Sequence, residues 1–166
     1  MTIWWRFALD DKRQFLRHTV ATLAYRGGKV LRDAPASFAN FRASEKTRTP
    51  SQILAHICDL IDWSCGMVRG DNSFKGIPPR PWSEDVDRFF GALGRLDALL
   101  AEEKPLGVDA DKLFQAPIAD ALTHVGQLAL LRRIAGSPIR GESYFVADIV
   151  TGRVGKEQSP PRREFE

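Results

Sequence analysis

The chain has three histidines, and two of them interrupt apolar helical runs: His56 in Ile53-Leu54-Ala55-His56-Ile57 and His124 in Ala121-Leu122-Thr123-His124-Val125. A polar ring on an apolar face is costly unless its nitrogens find partners. Asp120 precedes His124 by four residues, a spacing that stacks the two side chains one turn apart on a single helix face. Such a pair lets one helix offer two ligands to one ion. His56, from a second helix, would complete a set of two imidazoles and one carboxylate. That set suits one divalent metal (zinc, nickel, iron or manganese) and leaves positions for water or substrate. Water held there has a lowered pKa and a thiol is held as thiolate, so either becomes a nucleophile near neutral pH. Each residue also has an ordinary reading. Asp120 lies three residues past Pro117, where an acid complements the dipole of a helix start. His56 taken alone fits a hydrogen-bonded core histidine, and His18, between Arg17 and Thr19, fits an exposed position.

Positioning these residues falls to amphipathic helices. Over residues 10 to 33, Phe15, Leu16, Val20, Leu23, Val30 and Leu31 follow a spacing nearer 3.6 than 2, and Gly27-Gly28 predicts a weakened or bent stretch. Residues 34 to 48 have no sustained period and read as a connection. Thr49-Pro50-Ser51-Gln52 then combines a threonine N-cap, a proline at the first helical position and a glutamine that closes a capping box. This second helix runs to about Arg69. Gly76 to Pro81 is a breaker cluster; Trp82 starts a third helix, which Lys104-Pro105-Leu106-Gly107 stops. Pro117 is expected to open the fourth helix, which Gly136-Ser137-Pro138 ends. Arg132-Arg133 near that end complements the helix dipole. A short helix is expected over Glu142 to Val150, then an irregular tail over residues 152 to 166. The fold expected is all-α: a single domain over residues 1–166, a four-helix bundle with long inter-helix connections and a short C-terminal helical segment plus tail. If the second and fourth helices run parallel, His56, six residues past Pro50, and His124, seven past Pro117, lie at similar depth.

Around the three ligands, Gln127 lies one turn past His124 and Asp59 one turn past His56, so either can orient an imidazole from outside the coordination sphere, with a surface or a packing placement as the equal alternative. Trp63 continues the His56 face and fits a pocket wall or plain core. Arg69 suits an anionic substrate or a solvated helix end. Cys58 and Cys65 are seven apart on one helix, about 10 Å along its axis, so they cannot bridge each other and read as buried, reduced thiols.

The formal charge of +3 comes from dispersed basic residues interleaved with acids, which argues against a nucleic-acid partner. No apolar run approaches the roughly 20 residues of a membrane span, and Met1-Thr-Ile-Trp-Trp-Arg lacks the pattern of a signal peptide. A cytoplasmic protein without a membrane partner is the expectation.

Three segments carry a family likeness: Thr49-Pro50-Ser51-Gln52-Ile53-Leu54-Ala55-His56, Asp120-Ala-Leu-Thr-His124-Val-Gly-Gln127, and Tyr144-Phe-Val-Ala-Asp-Ile-Val-Thr-Gly-Arg153. Together they resemble the DinB/YfiT-like family. The resemblance implies a four-helix bundle with one metal, held by a histidine of the second helix and a His-x-x-x-His pair of the fourth. His56 takes the place of the first ligand, His124 that of the last, and Asp120 stands where the family usually has its middle histidine. An anionic, shorter ligand favours harder metals and lowers the electrophilicity of the ion. The resemblance further implies a metal-dependent thiol transferase or hydrolase, with a low-molecular-weight thiol as cosubstrate, a small-molecule electrophile as substrate and a possible homodimer. The alternative is a non-catalytic metal-binding or stress-associated dimeric bundle.

Overall fold

The structure, a computed structural model, describes residues 4 to 165, with side-chain surroundings from residue 11 onward; Met1 to Ile3 and Glu166 lie outside the described residues. The chain is an all-α bundle with one very small sheet. Its helices are α1 (Trp4–Leu31), α2 (Pro50–Val68), α3 (Trp82–Ala101), α4 (Ala110–Leu113) and α5 (Ala119–Ile134), and a π-turn at Phe114–Ile118 joins the last two. α2 packs against α3 and α5, and α1 packs against the same two. Successive helices α1 and α2 therefore stand diagonally across the bundle. The long connection between them makes this possible, and it contributes its own core side chain, Phe38, which is buried against Trp82 at 5.8 Å between ring centres.

α2 starts where its sequence requires. Thr49 Oγ1 accepts from the Gln52 backbone N–H at 3.3 Å while the Thr49 N–H donates to Gln52 Oε1 at 2.9 Å, so two donors that the helix cannot satisfy internally are satisfied reciprocally. α1 begins earlier than its apolar pattern indicates, at Trp4, and it runs unbroken through Gly27 and Gly28. The two glycines make room for α3. A methyl group on Gly27 would stand 2.5 Å from Cζ of Phe89, and one on Gly28 would stand 3.4 Å from Cζ of Phe90.

Pro117 does not open the fourth helix. The rod begins at Ala110, and Pro117 sits inside the π-turn, where the Ala119 N–H donates to the Phe114 carbonyl five residues back. A proline inside an α-helix removes one hydrogen bond and presses its ring on the carbonyl four residues earlier; the wider turn relieves that clash. Arg132 is buried, and its guanidinium binds the carbonyls of Val30 (2.9 Å) and Arg32 (3.2 Å) at the end of α1. It caps a neighbouring helix as well as its own, where its Nε donates to the Ser137 carbonyl at 2.7 Å. Arg13 does the same for the end of α3, through the carbonyls of Leu100, Glu102 and Lys104.

The helix expected over Glu142 to Val150 is absent. Gly141–Glu142 (β1) pairs antiparallel with Glu164–Phe165 (β2), in the register Gly141 with Phe165 and Glu142 with Glu164, and a 3-10 turn spans Tyr144–Val146. The cause is the buried Glu142 carboxylate. It accepts from the Tyr25 hydroxyl at 2.5 Å and from Lys29 Nζ at 2.7 Å, and Lys29 also reaches Glu164 at 2.7 Å. Burial and this acidic partner push the Tyr25 hydroxyl pKa well up, so the phenol stays a donor. The tail is irregular up to β2 but is anchored by the buried Val154. Among the described residues, no helix is long and apolar enough to cross a membrane.

Phe89 is fully buried and cannot retreat. Gly27→Ala should lower stability by about 1–3 kcal/mol through overpacking, more than the helix propensity gained, about 1 kcal/mol. Gly94→Ala, where a methyl group meets nothing within 4 Å, should instead raise stability by up to about 1 kcal/mol. Urea titrations of the two variants check the opposite signs.

Candidate metal centre

α2 and α5 face each other in opposite directions. Ile53 shares a hollow with Gln127 and Leu131, whereas Trp63, ten residues later, shares one with Gln115 and Asp120. The parallel condition under which the two prolines would match His56 and His124 in depth is therefore not met. His124 lies near the middle of the rod because the rod starts at Ala110, and an antiparallel partner meets it there.

At that crossing the three expected ligands converge. Asp120 turns one carboxylate oxygen to each ring: Oδ2 stands 3.7 Å from His56 Nε2 and Oδ1 stands 3.5 Å from His124 Nε2. All three candidate ligand atoms lie within 4.8 Å of one another. The two rings meet edge to face, 4.8 Å apart at 84°. Neighbouring ligands at bond lengths near 2.1 Å stand about 3.0–3.5 Å apart, so the donor set could close on one ion by moving inward. The set is also chemically consistent: two neutral imidazoles and one carboxylate leave a divalent ion with a net positive charge and open positions.

Burial grades across the site. The His124 side chain is 12% exposed, that of His56 26% and that of Asp120 47%. Desolvation holds the His56 pKa below its ordinary value, and His124 and Arg48 push it the same way against Asp120 and Asp59. The ring is therefore neutral at pH 7, the form that binds a metal. The dipole reading of Asp120 loses its basis, because α5 continues from α4 through Ile118 and Ala119, both with helical backbone angles. No row of free N–H groups stands at Pro117 for the carboxylate to face.

Of the supporting residues, Gln127 is exposed at the surface and still reaches His124. Its Oε1 lies 2.8 Å from His124 Nδ1, and since an amide oxygen only accepts, Nδ1 donates to it and the ring is held with Nε2 toward Asp120, 3.5 Å away. Asp59 does not orient His56. It is buried, accepting from Arg88 Nη2 at 2.6 Å and from the Ile77 N–H at 3.1 Å, so it ties α2 to α3 and to the connection between them. Trp63 walls the hollow beside Asp120, a space of 440 Å³ lined by Leu60, Gln115, Ala116, Ala119 and Thr123. Its indole N–H donates to Asn72 Oδ1 at 3.1 Å, and Phe74 packs edge-on between it and His56, 5.7 Å from the indole and 6.1 Å from the imidazole. Phe74 was not singled out from its spacing; the only signal is an aromatic residue in an otherwise polar stretch, Asp71-Asn72-Ser73-Phe74-Lys75. Arg69 lines a separate hollow with Leu99 and Pro105. His18 is exposed, beside Thr151 Oγ1 at 3.3 Å.

Zinc titration should separate the two neighbours of the ligands. Gln127→Leu is expected to weaken binding about tenfold by releasing His124. Asp59→Asn should leave affinity within about twofold while lowering stability by about 3 kcal/mol, because it strips Arg88 of one buried counter-charge. Equal losses of affinity in both variants would contradict these assignments.

Compared with known proteins, the chain matches no protein-family model, no curated protein and no solved structure.

Proposed function

We propose that the chain binds one divalent ion through His56, Asp120 and His124 and uses it as an enzyme, activating a thiol or a water for attack on a small electrophile in the manner of a thiol S-transferase. The observation that carries the reading is the convergence of three ligand atoms from two antiparallel helices, with His124 already turned by Gln127. When bound, the ion would supply a lowered pKa for a coordinated thiol or water.

The chain's own residues support the rest. Neither cysteine can serve as the nucleophile: both are buried, and burial raises the Cys65 thiol to about 11 and the Cys58 thiol further. A reacting sulfur therefore comes from outside, which agrees with the low-molecular-weight thiol implied by the DinB/YfiT-like resemblance. Two hollows flank the ligands, one on the Asp120 side and one of 350 Å³ on the His124 side. They give thiol and electrophile separate approaches. In a displacement, the thiol loses its proton to solvent, its sulfur bonds the electrophilic carbon, and the leaving group departs with the bonding pair.

Purified protein given zinc, nickel, iron or manganese should hold one ion per chain by mass spectrometry, and His124→Ala should hold none. At an ion concentration 100 times Kd, the wild-type chain should gain about 2.7 kcal/mol of stability, absent in the variant. The loaded protein should then consume 1-chloro-2,4-dinitrobenzene with glutathione, mycothiol or bacillithiol. A wild-type chain that takes up no ion overturns the metal reading, and an ion without turnover of this electrophile or of hydrolysable esters favours the non-catalytic alternative.

A further inference from the structure

The hollow on the His124 side has an unusual rim. It is lined by Ile53, Leu130 and Leu131, by His124 and Gln127, and by Thr47 and Arg48 from the connection before α2. Arg48 is exposed and, among the described residues, makes no ion pair and no hydrogen bond.

The backbone beneath Arg48 is held in place. On its C-terminal side, Thr49 is fixed by the capping box of α2. On its N-terminal side, Thr47 closes a tight turn: its N–H and its hydroxyl both donate to the Ser44 carbonyl, at 3.1 and 2.8 Å, and Arg42 Nη1 donates to the Thr47 carbonyl at 2.7 Å. A guanidinium on so constrained a segment, without a protein counter-ion and at the lip of an apolar hollow, is placed for an anionic group of a ligand whose body lies against the leucines. A guanidinium binds a carboxylate through two parallel hydrogen bonds. Its single charge matches one carboxylate and leaves a phosphate dianion half neutralised. The 350 Å³ space falls at the small end of ligand sites.

We infer that Arg48 is a specificity-determining residue and that the ligand is a small organic acid, with its carboxylate on Arg48, its apolar body along Ile53, Leu130 and Leu131, and its other end over His124. This rests on the metal reading above and adds the substrate class to it. The zinc-loaded chain is titrated calorimetrically with 6-mercaptohexanoate and with 6-mercaptohexan-1-ol, which share the thiol and the apolar body and differ in the carboxylate. The wild-type chain should bind the acid about five- to tenfold more tightly than the alcohol, the range of a partly exposed charge-assisted pair. Arg48→Gln should erase that preference while its zinc Kd stays within about twofold, and Arg48→Lys should keep part of it. Equal binding of acid and alcohol by the zinc-loaded wild type, or a preference that survives in Arg48→Gln, overturns the carboxylate assignment and leaves the metal centre standing. A chain that takes up no zinc, nor any other ion tested above, overturns both.

Discussion

α2 is the constraint on which the rest depends, because it is packed on two sides at once. It lies against α3 along one flank and α5 along the other, so each polar group on its inner half must find a partner on the helix it faces. His56 points to α5 and meets Asp120 and His124; Asp59 and Asp62 point to α3 and meet Arg88. Arg88 has a nearly buried side chain and still leaves Nη1 without a partner, as Asp85 leaves Oδ1. Such a pair of ionic contacts is a weak source of net stability but a strong source of register, since sliding α3 by one turn would strand charges in the interior. The register of α2 against α3 in turn fixes where its other flank presents His56.

The helices were legible in the sequence wherever local chemistry decides. The capping box at Thr49 and the breaker cluster before Trp82 act within a few residues, and both mark true boundaries. Pro117 was misread because the preference of proline for a first helical turn is statistical, whereas a π-turn satisfies the same steric demand inside a rod. Asp59 takes its packing placement rather than the orienting one for a geometric reason. At 100° per residue, a side chain three positions on is rotated by about 60° from its reference, and on a helix with neighbours on both flanks that rotation changes the neighbour. Gln127 stands in the same relation to His124, but its longer side chain at the surface reaches back to the ring.

The C-terminal segment was the least legible part, since its structure is made at long range. Nothing local in Gly141-Glu142 marks a strand. What holds it is a carboxylate whose partners, Tyr25 and Lys29, lie more than a hundred residues earlier. The candidate ligands themselves were legible because a polar residue in an apolar stripe is conspicuous at any range. Phe74 and Arg48, which frame the site from connections, carry no periodicity that would mark them.

The π-turn at Phe114–Ile118 has a consequence for how α4 and α5 are coupled. A turn closed five residues back holds one residue more than an α-turn, so it shifts the angular phase of everything after it by about 100° relative to an uninterrupted helix. Leu113 is fully buried on one side of the turn, and Asp120 and His124 face α2 on the other. Deleting Pro117 would restore an ordinary helix and force a choice: either Leu113 leaves the core or both ligands rotate away from His56. The length of this one turn sets the orientation in which α5 offers its ligands.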